Sequence, residues 1–183
     1  MKKRIKFSQY KNFINLLLSD INEDQLYNSI KLISNTIKNK GKVYIVGNGG
    51  SSSIASHVSV DFAKVSGIPS STFNNANLIT CFANDFGYDN WVVEAIKAYL
   101  GKNDMMILIS SSGTSKNIVN AAKYCKKKSI KLITFSGFSK NNPLNKIGNI
   151  NFHINSKHYN FIEMSHHIIL LYLVDLFADK KLK

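Results

Sequence analysis

Apolar residues in the first forty positions recur at three- and four-residue steps, as they do on the buried face of an α-helix. This spacing predicts one helix over residues 8–21 and another over residues 23–39. Asn22 and Gln25 resemble a capping box, and Gly41 stands where a helix would end. Two helices are therefore expected before the first strand.

The pattern then changes to short aliphatic runs that alternate with helical segments. Strands are predicted over 43–46, 105–109, 132–135 and 150–154, and helices over 51–65, 115–127 and 160–179. Continuous apolar strands between helices are typical of a parallel sheet covered on both faces. With 183 residues, we expect one α/β domain over residues 1–183.

Composition narrows the class of protein. No apolar run reaches the roughly 18 residues of a membrane span, and the first residues lack the apolar block of a signal peptide. We therefore expect a cytoplasmic protein without a membrane partner. Cys81 and Cys125 form no ligand-like pair, which suits a reducing compartment and a packing role for both.

The net charge of +13 is spread along the chain, apart from a cluster at residues 126–128. Nucleic-acid binding usually relies on a clustered basic face. We therefore do not expect a nucleic-acid partner, and interpret the lysines as a solvated surface that attracts anionic substrates.

Two turns rich in glycine and serine follow predicted strands, and ligands of open parallel sheets bind at such strand ends. Glycines permit close backbone approach, and a helix N-terminus favours anions. The first turn contains Asn48, Gly49, Gly50 and Ser51, and the second contains Ser110, Ser111, Ser112, Thr114 and Ser115. Neither matches a dinucleotide or nucleoside-triphosphate motif, so we expect a phosphorylated small molecule and no nucleotide cofactor.

Acidic and histidine side chains recur on two predicted helices. His57 and Asp61 share a helix face, and Asp61 falls within an apolar stripe, where a carboxylate needs a partner, a proton or a metal ion. A hydrogen bond to His57 or to backbone would be a purely structural explanation. The last helix is apolar nearly all round, which predicts burial against neighbours or a subunit interface, yet it contains Glu163, His166 and His167.

Four segments together resemble a known family. VGNGGS at 46–51, His57, FANDFGY at 82–88 and ISSSGTSKNI at 109–118 resemble the sugar isomerase (SIS) domain, specifically the sedoheptulose-7-phosphate isomerase (phosphoheptose isomerase) family. The resemblance covers essentially the whole chain. It implies a three-layer α/β sandwich around a five-stranded parallel sheet, a homotetramer, and N-terminal helices (1–40) that pack on the core and the oligomer interface.

The resemblance also assigns roles to residues of both turns. The phosphate would be held by Ser110, Ser112 and Ser115, with Ser51 contributing. The sugar site would be lined by Asn48, Gly49, Gly50, Asn84 and Asp85.

The chain departs from the family at its metal and proton-transfer positions. Relatives commonly have glutamate at Asp61, and glutamine and histidine at Ile162 and Leu170, which with the histidine at 57 bind zinc and move the proton. His57, Asp61 and His167 are therefore the candidate zinc ligands here. Glu163 with His166 or His167 could replace the missing pair.

The family implies an aldose–ketose isomerase that acts through an enediol, which requires an acid and a base rather than a redox cofactor. Asp61 or Glu163 would be the base, and His57 or His167 the acid. Sedoheptulose 7-phosphate would be the substrate, for heptose precursors of lipopolysaccharide or capsule. The alternative is a non-catalytic SIS module that senses sugar phosphate or binds a protein partner. The departures from the family at the metal and proton-transfer positions favour this alternative.

Overall fold

The computed structural model describes residues 4–178, which form one five-stranded sheet flanked by seven α-helices. The helices are α1 (Phe7–Ser19), α2 (Glu23–Lys38), α3 (Gly50–Lys64), α4 (Ala76–Phe86), α5 (Trp91–Tyr99), α6 (Lys116–Lys127) and α7 (Tyr159–Phe177). The strands are β1 (Val43–Gly47), β2 (Ser70–Thr72), β3 (Met105–Ser110), β4 (Lys131–Ser136) and β5 (Ile150–His153).

The strand order is β2-β1-β3-β4-β5, and every neighbouring pair is parallel. The chain moves outward from β1 to β2 on one side and from β3 to β5 on the other. The crevice outside the carboxyl ends of β1 and β3 is therefore the switch point at which such sheets bind ligands. Gly47 and Ile109 are paired there, directly before the two glycine- and serine-rich turns.

Alternate strand residues face two separate cores. Ile45 and Ile107 belong to a core with α2, α3 and α7, whereas Val46 and Leu108 belong to a core with α5 and α6. The predicted three-layer sandwich is confirmed. Helix α1 packs outside this arrangement against α7, where the rings of Tyr10 and Phe161 are 4.7 Å apart.

Some local predictions are wrong. Asn22 Oδ1 does accept a hydrogen bond from the Asp24 amide at 2.7 Å, but Gln25 donates to the Asn151 carbonyl at 2.9 Å instead of closing a capping box. Cys125 is buried, and burial raises the pKa of its thiol to about 12, whereas Cys81 is exposed on α4 and does not pack in the core of the chain. Position 179, the predicted end of α7, lies outside the described residues.

Helix α7 is not covered on every side within one chain. Ile168, Tyr172 and Leu176 are exposed on it, and Phe7 and Leu16 are exposed on neighbouring α1. Within residues 4–178, none of the helices has both the length and the apolar character needed to cross a bilayer.

Candidate active site

The two turns meet at the switch point and line a cavity of about 250 Å³. Its lining residues come from the β1–α3 turn, the β3–α6 turn and the start of α7. They are Asn48, Gly49, Gly50, Ser51, Ser110, Ser111, Ser112, Ser115, Tyr159 and Glu163. The structure thus brings together eight of the residues predicted for sugar-phosphate binding and one predicted acid–base residue.

The serine hydroxyls of the β3–α6 turn are close to one another. Ser110 Oγ donates to Ser115 Oγ at 3.1 Å, and Ser112 Oγ accepts a hydrogen bond from Thr114 Oγ1 at 3.0 Å. From the other turn, Ser51 Oγ lies 3.5 Å from Ser111 Oγ. This cluster of hydroxyls can donate to several oxygens of one bound anion.

The β1–α3 turn requires glycine at two positions for different reasons. Gly49 has φ +55°, a left-handed conformation that side chains other than glycine rarely adopt. Gly50 begins α3, and a methyl group on its Cα would collide with the Glu163 carboxylate. The N-terminus of α3 thus lies at the cavity, where the helix dipole stabilises negative charge.

Helices α3 and α7 run side by side and bring Glu163 into the cavity. Glu163 meets Gly50 at the start of α3, and just beyond the end of α3 Ser66 Oγ donates to the Val174 carbonyl at 2.7 Å. Tyr159, Glu163 and His167 are spaced four residues apart on α7 and so share one face of that helix.

Further along the same pair of helices, three polar side chains form a row. His57 Nε2 lies 3.2 Å from Asp61 Oδ2, and His57 Nδ1 lies 2.9 Å from His167 Nε2. The predicted pairing of Asp61 with His57 is therefore present. Burial lowers the pKa of His167, and nearby His57 lowers it further, while Asp61 opposes both.

This row does not fit a zinc ion. One ion would take a single nitrogen from each imidazole and one carboxylate oxygen around a common point, but the two nitrogens of His57 face Asp61 and His167 separately. Over the described part of the chain, no group of three or more His, Cys, Asp or Glu side chains is placed to hold a metal ion. Ile162 and Leu170, which stand where the family implies two further ligands, are fully buried aliphatic residues.

His166 belongs to the core rather than to the cavity. It is fully buried, its Nε2 hydrogen-bonds to the Ser136 carbonyl at 3.0 Å, and its ring packs edge-on against Phe135. Burial lowers the pKa of His166 to about 4, so the ring is neutral near pH 7. His167, rather than His166, is therefore the histidine placed beside His57.

Two residues predicted for the sugar site lie apart from the cavity lining. Asn84 and Asp85 are exposed near the end of α4, and Asn84 Nδ2 donates to Asp85 Oδ1 at 2.9 Å. Their role in sugar binding stays a prediction. Conversely, Tyr159 lines the cavity and was not predicted, although its four-residue spacing from Glu163 could have indicated it.

Sequence comparison places this arrangement in a family. A family model described as SIS domain matches residues 9–137. The phosphoheptose isomerase of Buchnera aphidicola subsp. Acyrthosiphon pisum (strain Tuc7) is 30% identical over 195 aligned residues, which cover 100% of this chain and 99% of that protein. The chain belongs to the phosphoheptose isomerase family.

Other members of the phosphoheptose isomerase family agree with this placement. The phosphoheptose isomerase of Helicobacter pylori (strain ATCC 700392 / 26695) is 33% identical over 121 residues, or 63% of each chain. A solved structure of a phosphoheptose isomerase from Francisella tularensis has a TM-score of 0.84 at 22% identity and covers 95% of both chains, which confirms the fold. The family resemblance drawn from the four sequence segments is confirmed.

Proposed function

We propose that this protein is an isomerase that interconverts sedoheptulose 7-phosphate and the corresponding aldose heptose 7-phosphate. One observation carries the proposal: the Glu163 carboxylate lies in the same cavity as the serine hydroxyls and the start of α3. A carboxylate beside an anion-binding turn has no evident use in holding a phosphate. It is suited to removing a proton from the carbon next to a sugar carbonyl.

The phosphate end of the cavity would bind the substrate. Ser110, Ser112 and Ser115 would donate to phosphate oxygens, with Ser51 and Ser111 beside them. The N-terminus of α3 adds positive potential at the same place, and the net charge of +13 favours the encounter with an anion.

The reaction would move one proton between adjacent carbons. Glu163 would take the proton from the carbon next to the carbonyl as the carbonyl oxygen gains one, which gives an enediol. Return of the carbon-bound proton to the neighbouring carbon, with loss of the other hydroxyl proton, completes the interconversion. No electron acceptor is needed, because oxidation of one carbon balances reduction of the other.

His167 is the proposed acid for the carbonyl oxygen. It follows Glu163 by one turn on the same face of α7. Its Nε2 is hydrogen-bonded to His57, which contacts the Asp61 carboxylate. Asp61 would stabilise positive charge on this histidine pair, so of the two candidate carboxylates we assign the base to Glu163 and a supporting role to Asp61.

Assembly and cellular role are part of the proposal. The exposed apolar residues of α1 and α7 support a homo-oligomer, which we propose to be a tetramer. The free thiols of Cys81 and Cys125 are consistent with a cytoplasmic protein. The family supports a place in heptose precursor synthesis for lipopolysaccharide or capsule.

A specific observation favours one alternative, a sugar-phosphate sensor without turnover. The side chains implied to hold zinc do not surround a common point, while the phosphate-binding turns are intact. Binding alone would need only those turns.

The deciding experiment pairs calorimetric binding with turnover in deuterium oxide. We expect binding of sedoheptulose 7-phosphate, formation of the aldose isomer, and deuterium incorporation at the carbon next to the carbonyl. Binding without isomer formation or deuterium incorporation, with and without added zinc, would overturn the isomerase and leave the sensor.

A further inference from the structure

Three of the four segments that resemble the family converge on the side-chain amide of one residue, Asn48. Asn48 belongs to the VGNGGS turn and lines the cavity. Its partners are Asn117, from the ISSSGTSKNI segment, and Tyr88, from the FANDFGY segment.

Asn48 and Asn117 form a reciprocal amide pair. Asn48 Nδ2 donates to Asn117 Oδ1 at 2.9 Å, and Asn117 Nδ2 donates to Asn48 Oδ1 at 2.9 Å. The Tyr88 hydroxyl donates to Asn48 Oδ1 at 3.3 Å. Two bonds between the same pair of planar groups fix both the position and the rotation of the Asn48 amide.

The two members of the pair differ in exposure. Asn117 is only 2% exposed, on the first turn of α6, whereas Asn48 is half-buried at the edge of the cavity. A buried amide without its partner is costly, so the pair ties the β1–α3 turn to α6. Asn117 itself does not line the cavity.

The turn has little else to orient Asn48. The next residue is Gly49, around whose Cα there is open space, and then Gly50, which also lacks a side chain. An unrestrained Asn48 would lose rotamer freedom on each binding event, and a restrained one would not. One Nδ2 hydrogen of Asn48 has no acceptor among residues 4–178, so it is free to donate to a ligand oxygen.

We propose that Asn117 is a positioning residue for ligand binding, which acts by holding the Asn48 amide in the cavity, with Tyr88 as a weaker second support. This inference rests on the proposed assignment of the cavity to a sugar phosphate. Asn117 and Tyr88 lie outside the cavity lining, yet both would contribute to the affinity for the sugar phosphate.

The test is a double-mutant cycle on affinity for sedoheptulose 7-phosphate, measured by calorimetry. Asn48→Ala and Asn117→Ala should each weaken binding about tenfold, and the double variant should bind no more weakly than Asn48→Ala alone. Tyr88→Phe removes only an exposed hydroxyl and should weaken binding about two- to threefold. Asn103→Ala is the matched control, since Asn103 also donates to a carbonyl but lies before β3, at the opposite end of that strand from the cavity.

A merely structural role for Asn117 predicts a different result. Asn117→Ala would then lower the melting temperature and the number of binding sites per chain but leave the dissociation constant of the folded fraction unchanged. That result, or losses that multiply in the double variant, would overturn the inference. If Asn117→Ala does not fold, an unchanged affinity in Tyr88→Phe together with an unchanged affinity in Asn48→Ala would overturn it equally.

The proposed function fails on a separate measurement. If wild-type protein binds the sugar phosphate without converting it, the proposed isomerase function is wrong. The double-mutant cycle, which measures only affinity, would still test the role of Asn117. Wild-type protein that binds no sugar phosphate overturns both.

Discussion

Nδ1 of His57 and Nε2 of His167 lie 2.9 Å apart, although the two histidines are 110 positions apart in the sequence. This contact joins α3 to α7. The rings meet edge to face at 82°. With Asp61 on the far side of His57, the contact makes a continuous path from a carboxylate to a histidine one turn beyond Glu163. The same three side chains that could have surrounded a metal ion are instead in line.

His167→Gln should lower turnover by about 10²-fold, because positioned proton transfer is typically worth that much or more. Sugar-phosphate affinity should stay within a few-fold, because the acid acts on the transition state whereas the serine hydroxyls would hold the phosphate of the bound substrate. Steady-state kinetics and calorimetry measure the two effects. His158→Gln, an exposed histidine at the start of the same helix, is the control, and equal turnover in both variants would remove His167 from the reaction.

Glu163→Gln and Asp61→Asn separate the two candidate bases. Each change keeps the shape of the side chain and removes its charge. Glu163→Gln should reduce deuterium incorporation next to the carbonyl by about 10²- to 10⁴-fold. Asp61→Asn should reduce it less, because Asp61 acts only through His57. The opposite order would make Asp61 the base and contradict the role assigned to Glu163.

Replacement of Ser110, Ser112 and Ser115 by alanine should weaken sugar-phosphate binding while the fold persists. Each lost hydrogen bond to a charged phosphate is worth about 1.5 to 3 kcal/mol. Calorimetry on the single and triple variants measures the loss, and circular dichroism checks folding. Ser129→Ala, on the connection between α6 and β4, is the control. A triple variant with wild-type affinity would remove the phosphate assignment.

The sequence predicted the sheet better than its surroundings because buried parallel strands are continuous aliphatic runs. Residues 43–46 and 105–109 are therefore easy to recognise, whereas β2 has three small hydroxyl residues and no apolar signal. Residues on the two serine- and glycine-rich turns could be placed at one sheet edge from topology. The partner of Asn48 could not, because Asn117 is 69 positions away and only packing decides which side chains meet.

Helical spacing likewise predicted that His57 and Asp61 share a face, and that Glu163 and His167 share another. It could not predict that His57 would bond to His167 and so use both of its nitrogens, since this depends on how α3 and α7 are aligned. Periodicity also could not separate His166 from His167. One is fully buried against Phe135 and the other faces α3.

Assembly can be tested at the apolar surface of α7. We expect light scattering to give a tetramer at micromolar concentration, because Ile168, Tyr172 and Leu176 are exposed in one chain. Ile168→Lys with Leu176→Lys should shift the mass toward dimer or monomer, since an unpaired buried charge is costly. Val60→Lys, which alters an exposed apolar residue of α3, shows whether the interface extends to that helix. A wild-type protein that is monomeric would contradict the proposed assembly.

The buried imidazole of His166 should make stability depend on pH in a defined direction. Burial lowers its pKa from 6.5 to about 4, so the folded state resists a proton that the unfolded state accepts. Its contribution to the free energy of unfolding is fully present above pH 6.5 and is lost as the pH falls from 6.5 to about 4. The total loss is on the order of 3 kcal/mol.

Urea unfolding of wild type and His166→Gln across this pH range measures the loss. The glutamine variant keeps a donor for the Ser136 carbonyl. It should be less stable than wild type at pH 7 but lose less stability toward pH 4. Phe135→Leu, which trims the ring packed against His166, should instead lower the whole curve without changing its slope. Parallel curves for wild type and His166→Gln would mean that this histidine is not held neutral in the folded protein.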